Sequence, residues 1–228
     1  GIRFDLMELL DIDTTREIVR KSRKIDENFL IYGEPWKGGL SPLMNGTFKG
    51  SQRNENFSVF NDIFRDTIRG DNNPSNGFIN GNQHNSIYHW NIIEGLKGSI
   101  YTLTSNPNET INYADAHDNY TLWDQIEKSQ TQNISPGKYR KNLSNNLLDN
   151  KFVKQHILGL SILFTAQGIP FIHCGQEFFR SKKGIENSYN SPDYIKTNSN
   201  KTDNCPTTKT CGTSGNLPIT NVINGSKN

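Results

Sequence analysis

Apolar positions in this chain come in short alternating runs, and the first of them opens the sequence. In Gly1-Ile2-Arg3-Phe4-Asp5-Leu6-Met7, the apolar Ile2, Phe4 and Leu6 alternate with Arg3 and Asp5, the period of two that marks a strand with unlike faces. The alternation predicts Arg3 and Asp5 on one face. Thr14-Thr15-Arg16-Glu17 then reads as a capping box, with Thr14 as the cap and Glu17 reaching back, opening a helix that runs to Lys24. A second strand is expected over Phe29 to Tyr32, ended by Gly33-Glu34-Pro35 because proline withholds a ladder donor. Ser58-Val59-Phe60-Asn61-Asp62 gives a third, running into a short helix that buries Phe64 and Ile68. Residues 71 to 98 are rich in Asn and Gly and too long for a plain connection, so they are expected to be functional or to carry short helices.

Ile111-Asn112-Tyr113-Ala114 reads as a fourth strand, delivering Asp115-Ala116-His117-Asp118-Asn119 at its end, and Leu122 to Lys128 as a helix. The strongest helical stretch is Phe152 to Ala166, with Val153, Ile157, Leu160, Leu163 and Phe164 near helical spacing. Gly168 and Pro170 end it, and Ile169 to His173 is read as a fifth strand. Strand followed by helix, repeated, is the pattern of a parallel α/β sheet. From Thr197 the composition shifts to Lys, Thr, Asn, Ser and Gly, so 197–228 is expected to be a flexible, low-complexity tail.

Charge changes this picture by exclusion. The 228 residues carry 25 basic and 23 acidic side chains, a net charge of +2, with no basic face for a phosphate backbone, so nucleic acid is not an expected partner. The most apolar run, Ile157 to Phe164, is far short of a bilayer crossing, and no membrane partner is expected. Cys174 sits in a strand-like run and reads as a small buried side chain. Cys205 and Cys211 lie among Thr, Asn, Gly and Lys with no histidine nearby; no disulfide framework or metal site is expected.

The chemistry-bearing residues are Asp5, Glu34 and Asp118, each at or beyond a strand end. A retaining glycosidase needs two carboxyl groups about 5 to 5.5 Å apart, one a nucleophile and one an acid and base, and neighbouring parallel strands about 4.8 Å apart can supply them. Tyr32, Pro35 and Trp36 give Glu34 an apolar setting that would keep it protonated, while Arg3 beside Asp5 would favour the carboxylate. Each residue alone has a plainer reading: Glu34 as a surface acid in a turn, His117 as a side chain satisfied by Asp118, Trp36 and Trp123 as packing.

Taken together, Arg3-Phe4-Asp5, Tyr32-Gly33-Glu34-Pro35-Trp36 and Ala116-His117-Asp118-Asn119 resemble three short motifs of the α-amylase superfamily, glycoside hydrolase family 13. Phe60-Asn61-Asp62 with Arg65-Asp66, Ile111-Asn112-Tyr113, Gln167-Gly168-Ile169-Pro170-Phe171, His173-Cys174-Gly175-Gln176-Glu177-Phe178 and Asn187-Ser188-Tyr189-Asn190-Ser191-Pro192-Asp193 are similar to those of bacterial type I pullulanases. The motifs fall in the same order over residues 1 to about 195.

The resemblance implies a partial TIM-type (β/α)8 barrel, strands four to eight, over residues 1–196. It implies Asp5 as nucleophile, Glu34 as acid and base, and His117 and Asp118 as contacts to the sugar in the cleavage subsite. Arg3, Trp36, Asn190 and Asp193 are implied to face substrate. The implied reaction is retaining hydrolysis of α-1,6 linkages in pullulan, limit dextrin, glycogen or amylopectin, with no organic cofactor. Calcium occurs by resemblance, but no ligand cluster calls for it. Departures matter: the family's third-strand motif, the upstream pullulanase signature and the N-terminal sandwich modules have no counterpart here, and the family's C-terminal β-domain gives way to the polar tail. The chain alone is therefore expected to show little or no activity. Alternatives are another α-glucan hydrolase, an isoamylase or neopullulanase, or a non-catalytic carbohydrate-binding remnant. Localisation is open, since the family includes secreted, surface-anchored and intracellular members.

Overall fold

The computed structural model describes residues 1–131 and 146–189. Its elements are β1 (Ile2–Phe4), α1 (Ile12–Ile25), β2 (Ile31–Gly33), β3 (Ser58–Phe60), α2 (Asp62–Arg69), α3 (Ser86–Leu96), β4 (Thr110–Asn112), α4 (Leu122–Gln130), α5 (Lys151–Thr165) and β5 (Ile169–Pro170). The strands form one parallel sheet in the order β1-β2-β3-β4-β5, so the chain is an α/β protein. The described residues divide into two compact units, the first made of residues 1–64, 90–113 and 163–171 and the second lying within 65–89, 114–162 and 172–189. All five strands belong to the first.

The strands are shorter than the sequence pattern suggests. β1 stops at Phe4, because Leu6 adopts left-handed dihedrals (φ 45°, ψ 53°) and ends the alternation. β5 is only Ile169–Pro170, although Phe171 still donates its N–H to Asn112 O at 2.8 Å. Helix α1 starts two residues before the proposed cap: Asp11, not Thr14, is its N-cap, accepting from Thr14 N at 2.8 Å and bonding the Thr14 hydroxyl at 2.7 Å. An aspartate accepts from the first-turn amides and meets the helix's positive end, and Glu17 instead pairs with Arg20 at 2.6 Å.

One face of the sheet carries the first unit's core. Met7, Val19, Ile31, Phe57, Val59 and Leu103 are buried together, with Phe4, Ile12 and Phe29 packed against them. On the other face alternation brings up Arg3, Tyr32 and Phe60. Phe60 is the hub there, making edge contacts with Tyr32 (5.6 Å between centroids), Tyr113 (5.0 Å) and Phe171 (5.3 Å). Aromatic edge contacts of this kind add about 0.5–1.5 kcal/mol each beyond burial.

In the second unit Trp123, fully buried, packs against Phe152, His156 and Phe179. Helix α5 exists as expected. Val153, His156, Gly159, Ile162 and Leu163 are its buried positions, while Ile157 and Phe164 are exposed. The long stretch 71–98 carries a 3₁₀ turn (Phe78–Asn80) and α3. Cys174 is half-buried. Cys205, Cys211 and the tail 197–228 lie outside the described residues. No helix among the described residues is long and apolar enough to cross a membrane.

Packing in the first unit is tightest at Gly95 of α3, where an added β-carbon would overlap the buried Phe64 ring. Alanine gains about 1 kcal/mol in helix propensity, whereas forcing a methyl into a filled site costs roughly 1–3 kcal/mol or more. Gly95→Ala is therefore expected to lower stability on balance, read as a lower urea midpoint; an unchanged or raised midpoint would show that Phe64 can move aside.

Candidate active site

The register of β1 with β2 positions the candidate residues of the first unit. Phe4 stands opposite Gly33, so the next residues, Asp5 and Glu34, emerge side by side from adjacent strand ends. Glu34 N donates to Phe4 O at 3.1 Å and Met7 N to Glu34 O at 2.8 Å, locking the two turns together. Both oxygens of the Glu34 carboxyl are engaged: Arg3 Nη2 donates to Oε1 at 2.7 Å and Leu6 N to Oε2 at 3.0 Å. Arg3 itself lies over the Phe60 ring, its Cζ 5.5 Å from the centroid, a stacking that weakly hydrated guanidinium favours.

The two carboxyl groups occupy opposite environments. Glu34 is 7 % exposed at its side chain and Asp5 72 %. Burial pushes the Glu34 carboxyl above its ordinary range, with the neighbouring Asp5 adding to the rise and Leu6 N–H and Arg3 opposing it. Arg3 bonds Glu34 directly, and its nearest approach to Asp5 is 3.8 Å. Arg3 spans the pair, because the buried acid needs a partner for its lost hydration and the exposed one does not. Trp36 is half-buried beside buried Pro35. The residue sequence reading missed is Phe60, whose position in the alternation matches those of Arg3 and Tyr32.

The second unit carries Asp115-Ala116-His117-Asp118-Asn119. His117 Nε2 lies 3.4 Å from Asp118 Oδ2, both half-exposed. Asn119 is left-handed (φ 58°) and donates its N–H to Asn187 Oδ1 at 3.1 Å. Beneath them Asp115 is buried, accepting from Leu122 N at 2.6 Å. Burial pushes its carboxyl up to about 6 against the pull of Leu122 N–H and of Arg180, Arg69 and Lys182. His173 is pushed down to about 3, first by burial and then by Arg180, His117 and Lys182. Asn190 and Asp193 lie outside the described residues. Among the described residues no cluster of His, Cys, Asp and Glu could hold a metal ion.

Two titration experiments follow. Replacing Asp5 by Asn removes a like charge and should lower the Glu34 pKa, whereas Arg3→Met should raise it; carboxyl-carbon NMR reads both, and shifts of the opposite sign would contradict the arrangement. In the second unit, Asp115 holds a proton in the folded state between pH about 4 and 6 that the unfolded chain has released, so its stabilisation fades as pH rises through about 6. His173, with a lowered folded pKa, loses its contribution as pH falls from about 6.5 toward 3. Between pH 4 and 6 the two slopes oppose. His173→Gln should therefore gain stability relative to the parent as pH falls from 6 to 4, and Asp115→Asn should lose it, each by on the order of 1 kcal/mol per pH unit. Denaturation series at several pH values check this, and parallel curves for all three proteins would refute it.

The chain is 34% identical over 202 residues to the pullulanase of Bacillus subtilis (strain 168), covering 86% of this chain and 26% of that protein. The structure of a pullulanase from Bacillus acidopullulyticus matches with a TM-score of 0.72 at 37% identity, over 85% of this chain and 22% of the other. That of an Anoxybacillus sp. LM18-11 pullulanase complexed with maltotetraose matches at 0.70 and 36%, over 85% of this chain and 26% of the other. No family model matches the chain. It spans about a quarter of the length of the Bacillus subtilis relative, whose aligned share is 26%. The chain is a homologue of the pullulanases of glycoside hydrolase family 13 and corresponds to part of their catalytic region.

Proposed function

We propose that residues 1–196 supply strands four to eight of a (β/α)8 barrel and carry the catalytic set for retaining hydrolysis of α-1,6-glucosidic linkages, with 197–228 a separate polar segment. Asp5 is the nucleophile in this reading. Exposed at the strand end, with Arg3 at 3.8 Å, it can reach an anomeric carbon from the solvent side. Glu34 is the acid and base. Its raised pKa suits a group that first protonates the leaving oxygen and then, deprotonated, activates water. Arg3 bridges them and offsets the charge that passes from one carboxyl to the other. His117 and Asp118 bind ring hydroxyls and stabilise the oxocarbenium-like transition state, and Trp36, Asn190 and Asp193 face the substrate. The substrate class is a branched α-glucan: pullulan, limit dextrin, glycogen or amylopectin. Solved pullulanase relatives carry maltotetraose and maltose, which supports α-glucan recognition here.

The observation that carries the reading is the unlike pair at two adjacent strand ends, one carboxyl buried with its pKa raised and the other exposed, joined by one guanidinium. An ion pair with a purely structural task has no need to keep one acid in solvent.

The test is release of maltotriose from pullulan. The chain by itself should release none above background. Residues 1–189 exchanged into the corresponding segment of the Bacillus subtilis pullulanase should restore release. In that chimera Asp5→Ala and Glu34→Gln should each cost at least about 10³-fold, in line with loss of a nucleophile or proton donor. Turnover by the parent chimera that survives both substitutions would sink the assignment. Maltotriose release by the unaided chain that Asp5→Ala abolishes would sink the claim that it needs further strands.

A further inference from the structure

Lys182 is the least expected side chain in the second unit. It sits in the run Arg180-Ser181-Lys182-Lys183, which reads as a solvated basic stretch, yet it is fully buried. Its backbone is fixed first: Lys182 N donates to Asp124 Oδ2 at 2.7 Å, and the Ser181 hydroxyl donates to Asp124 Oδ1. Asp124 is held at the start of α4, its own N–H donating to the cap hydroxyl of Thr121 at 3.1 Å. From that anchored position the side chain runs inward to two backbone carbonyls. The ammonium donates to His117 O at 3.3 Å and to Glu186 O.

Those carbonyls belong to the turn bearing His117 and Asp118 and to the segment preceding Asn187. The same two stretches meet again where Asn119 N donates to Asn187 Oδ1 at 3.1 Å. A buried ammonium is expensive to desolvate, and a methionine would fill a similar volume without that cost. Burial and Arg180 do push the Lys182 pKa down, to about 8. What the charged group supplies, and an apolar one cannot, is donors aimed at both carbonyls at once, with the charge favourably placed toward Asp124, Asp115 and Asp118.

We propose that Lys182 is a positioning residue for substrate binding: its ammonium clamps the His117–Asp118 turn to the 186–187 segment, so that the Asp118 carboxylate is presented to the sugar in one orientation. The clamp itself stands on the geometry; its consequence for sugar rests on the reading of His117 and Asp118 as sugar contacts. The role is indirect, since Lys182 touches backbone and not substrate.

The experiment uses the full 228-residue chain with Lys182→Met and Lys182→Arg. Two readouts are followed: amide hydrogen exchange at 117–119 and 186–187, and maltotriose affinity by calorimetry. Lys182→Met should speed exchange in both segments at least tenfold while amides of β2 and β3 stay as they were, and Lys182→Arg, which keeps donors, should restore most of the protection. Maltotriose affinity should fall about tenfold in Lys182→Met. In an Asp118→Asn background, Lys182→Met should cost little more, because the carboxylate it orients is gone. Unchanged exchange at 117–119 in Lys182→Met, or equal exchange in the Met and Arg variants, would overturn the clamp. Additive losses of affinity in the double variant would overturn the orienting role. If the unsubstituted chain binds no maltotriose while exchange responds as described, the clamp stands and the sugar-contact reading of this segment in the chain falls. Should Lys182→Met fail to fold, Lys182→Arg still decides: its second donor group must keep 117–119 protected, and loss of protection there with the β2 and β3 amides intact overturns the proposal.

Discussion

Everything at the first two strand ends depends on how one guanidinium is shared. Arg3 rests on the Phe60 ring, bonds the buried Glu34 carboxyl and stays within ion-pair range of exposed Asp5. Phe60 is in turn fixed by three aromatic edges from neighbouring strand ends, so the position of Arg3 is set by the sheet's own packing. The buried acid would otherwise face desolvation with a single backbone donor, Leu6 N–H, to offset it. In water a pair of this kind would be worth little; with Glu34 removed from solvent the same contact acts in a lower dielectric and holds the buried acid more closely than the exposed one.

The second unit solves a related problem with more charge and less solvent. Asp115 and Asp124 are buried near Arg180 and Lys182, and none of the four sits in a simple one-to-one pair. Asp115 and Asp124 are answered mainly by backbone amides and hydroxyls, Lys182 by carbonyls, while the Arg180 nitrogens have no hydrogen-bond partner among the described residues. Such a cluster gains less from Coulomb attraction than it loses in hydration unless its hydrogen bonds are well placed. Its structural return is a fixed backbone around His117 and Asp118.

Much of this was legible in the sequence, and the reasons differ by residue. The strand-helix order and the positions of Asp5 and Glu34 follow from alternation and from the Gly-Glu-Pro break, both local signals. Thr14 and Glu17 sit at the spacing of a capping box, yet Asp11 caps α1, and only the chain's approach to the helix chooses between them. Helical spacing alone does not say which of the apolar positions of α5 are buried, since that depends on what lies opposite: Val153, His156 and Gly159 turn inward while Ile157 and Phe164 stay exposed. Arg3 was paired with Asp5 from neighbourhood in sequence; its stronger tie to Glu34 comes from the register of β1 on β2, a long-range fact. Lys182 gave no signal at all, since a basic run does not say which of its members turns inward.

Both acid-bearing turns share a backbone feature: the residue immediately after Asp5 and the one after Asp118, Leu6 and Asn119, are left-handed. Asparagine enters that region readily and leucine does not, so the first turn holds a conformation of order 1 kcal/mol or more above its relaxed alternatives. This separates two clocks. An exposed carboxylate such as Asp5 changes rotamer in picoseconds to nanoseconds, whereas moving its Cα direction requires the peptide to leave the left-handed well and the Leu6 N–H to release Glu34, a loop motion of nanoseconds to microseconds. The side chain can search for its target quickly while the platform it searches from stays still.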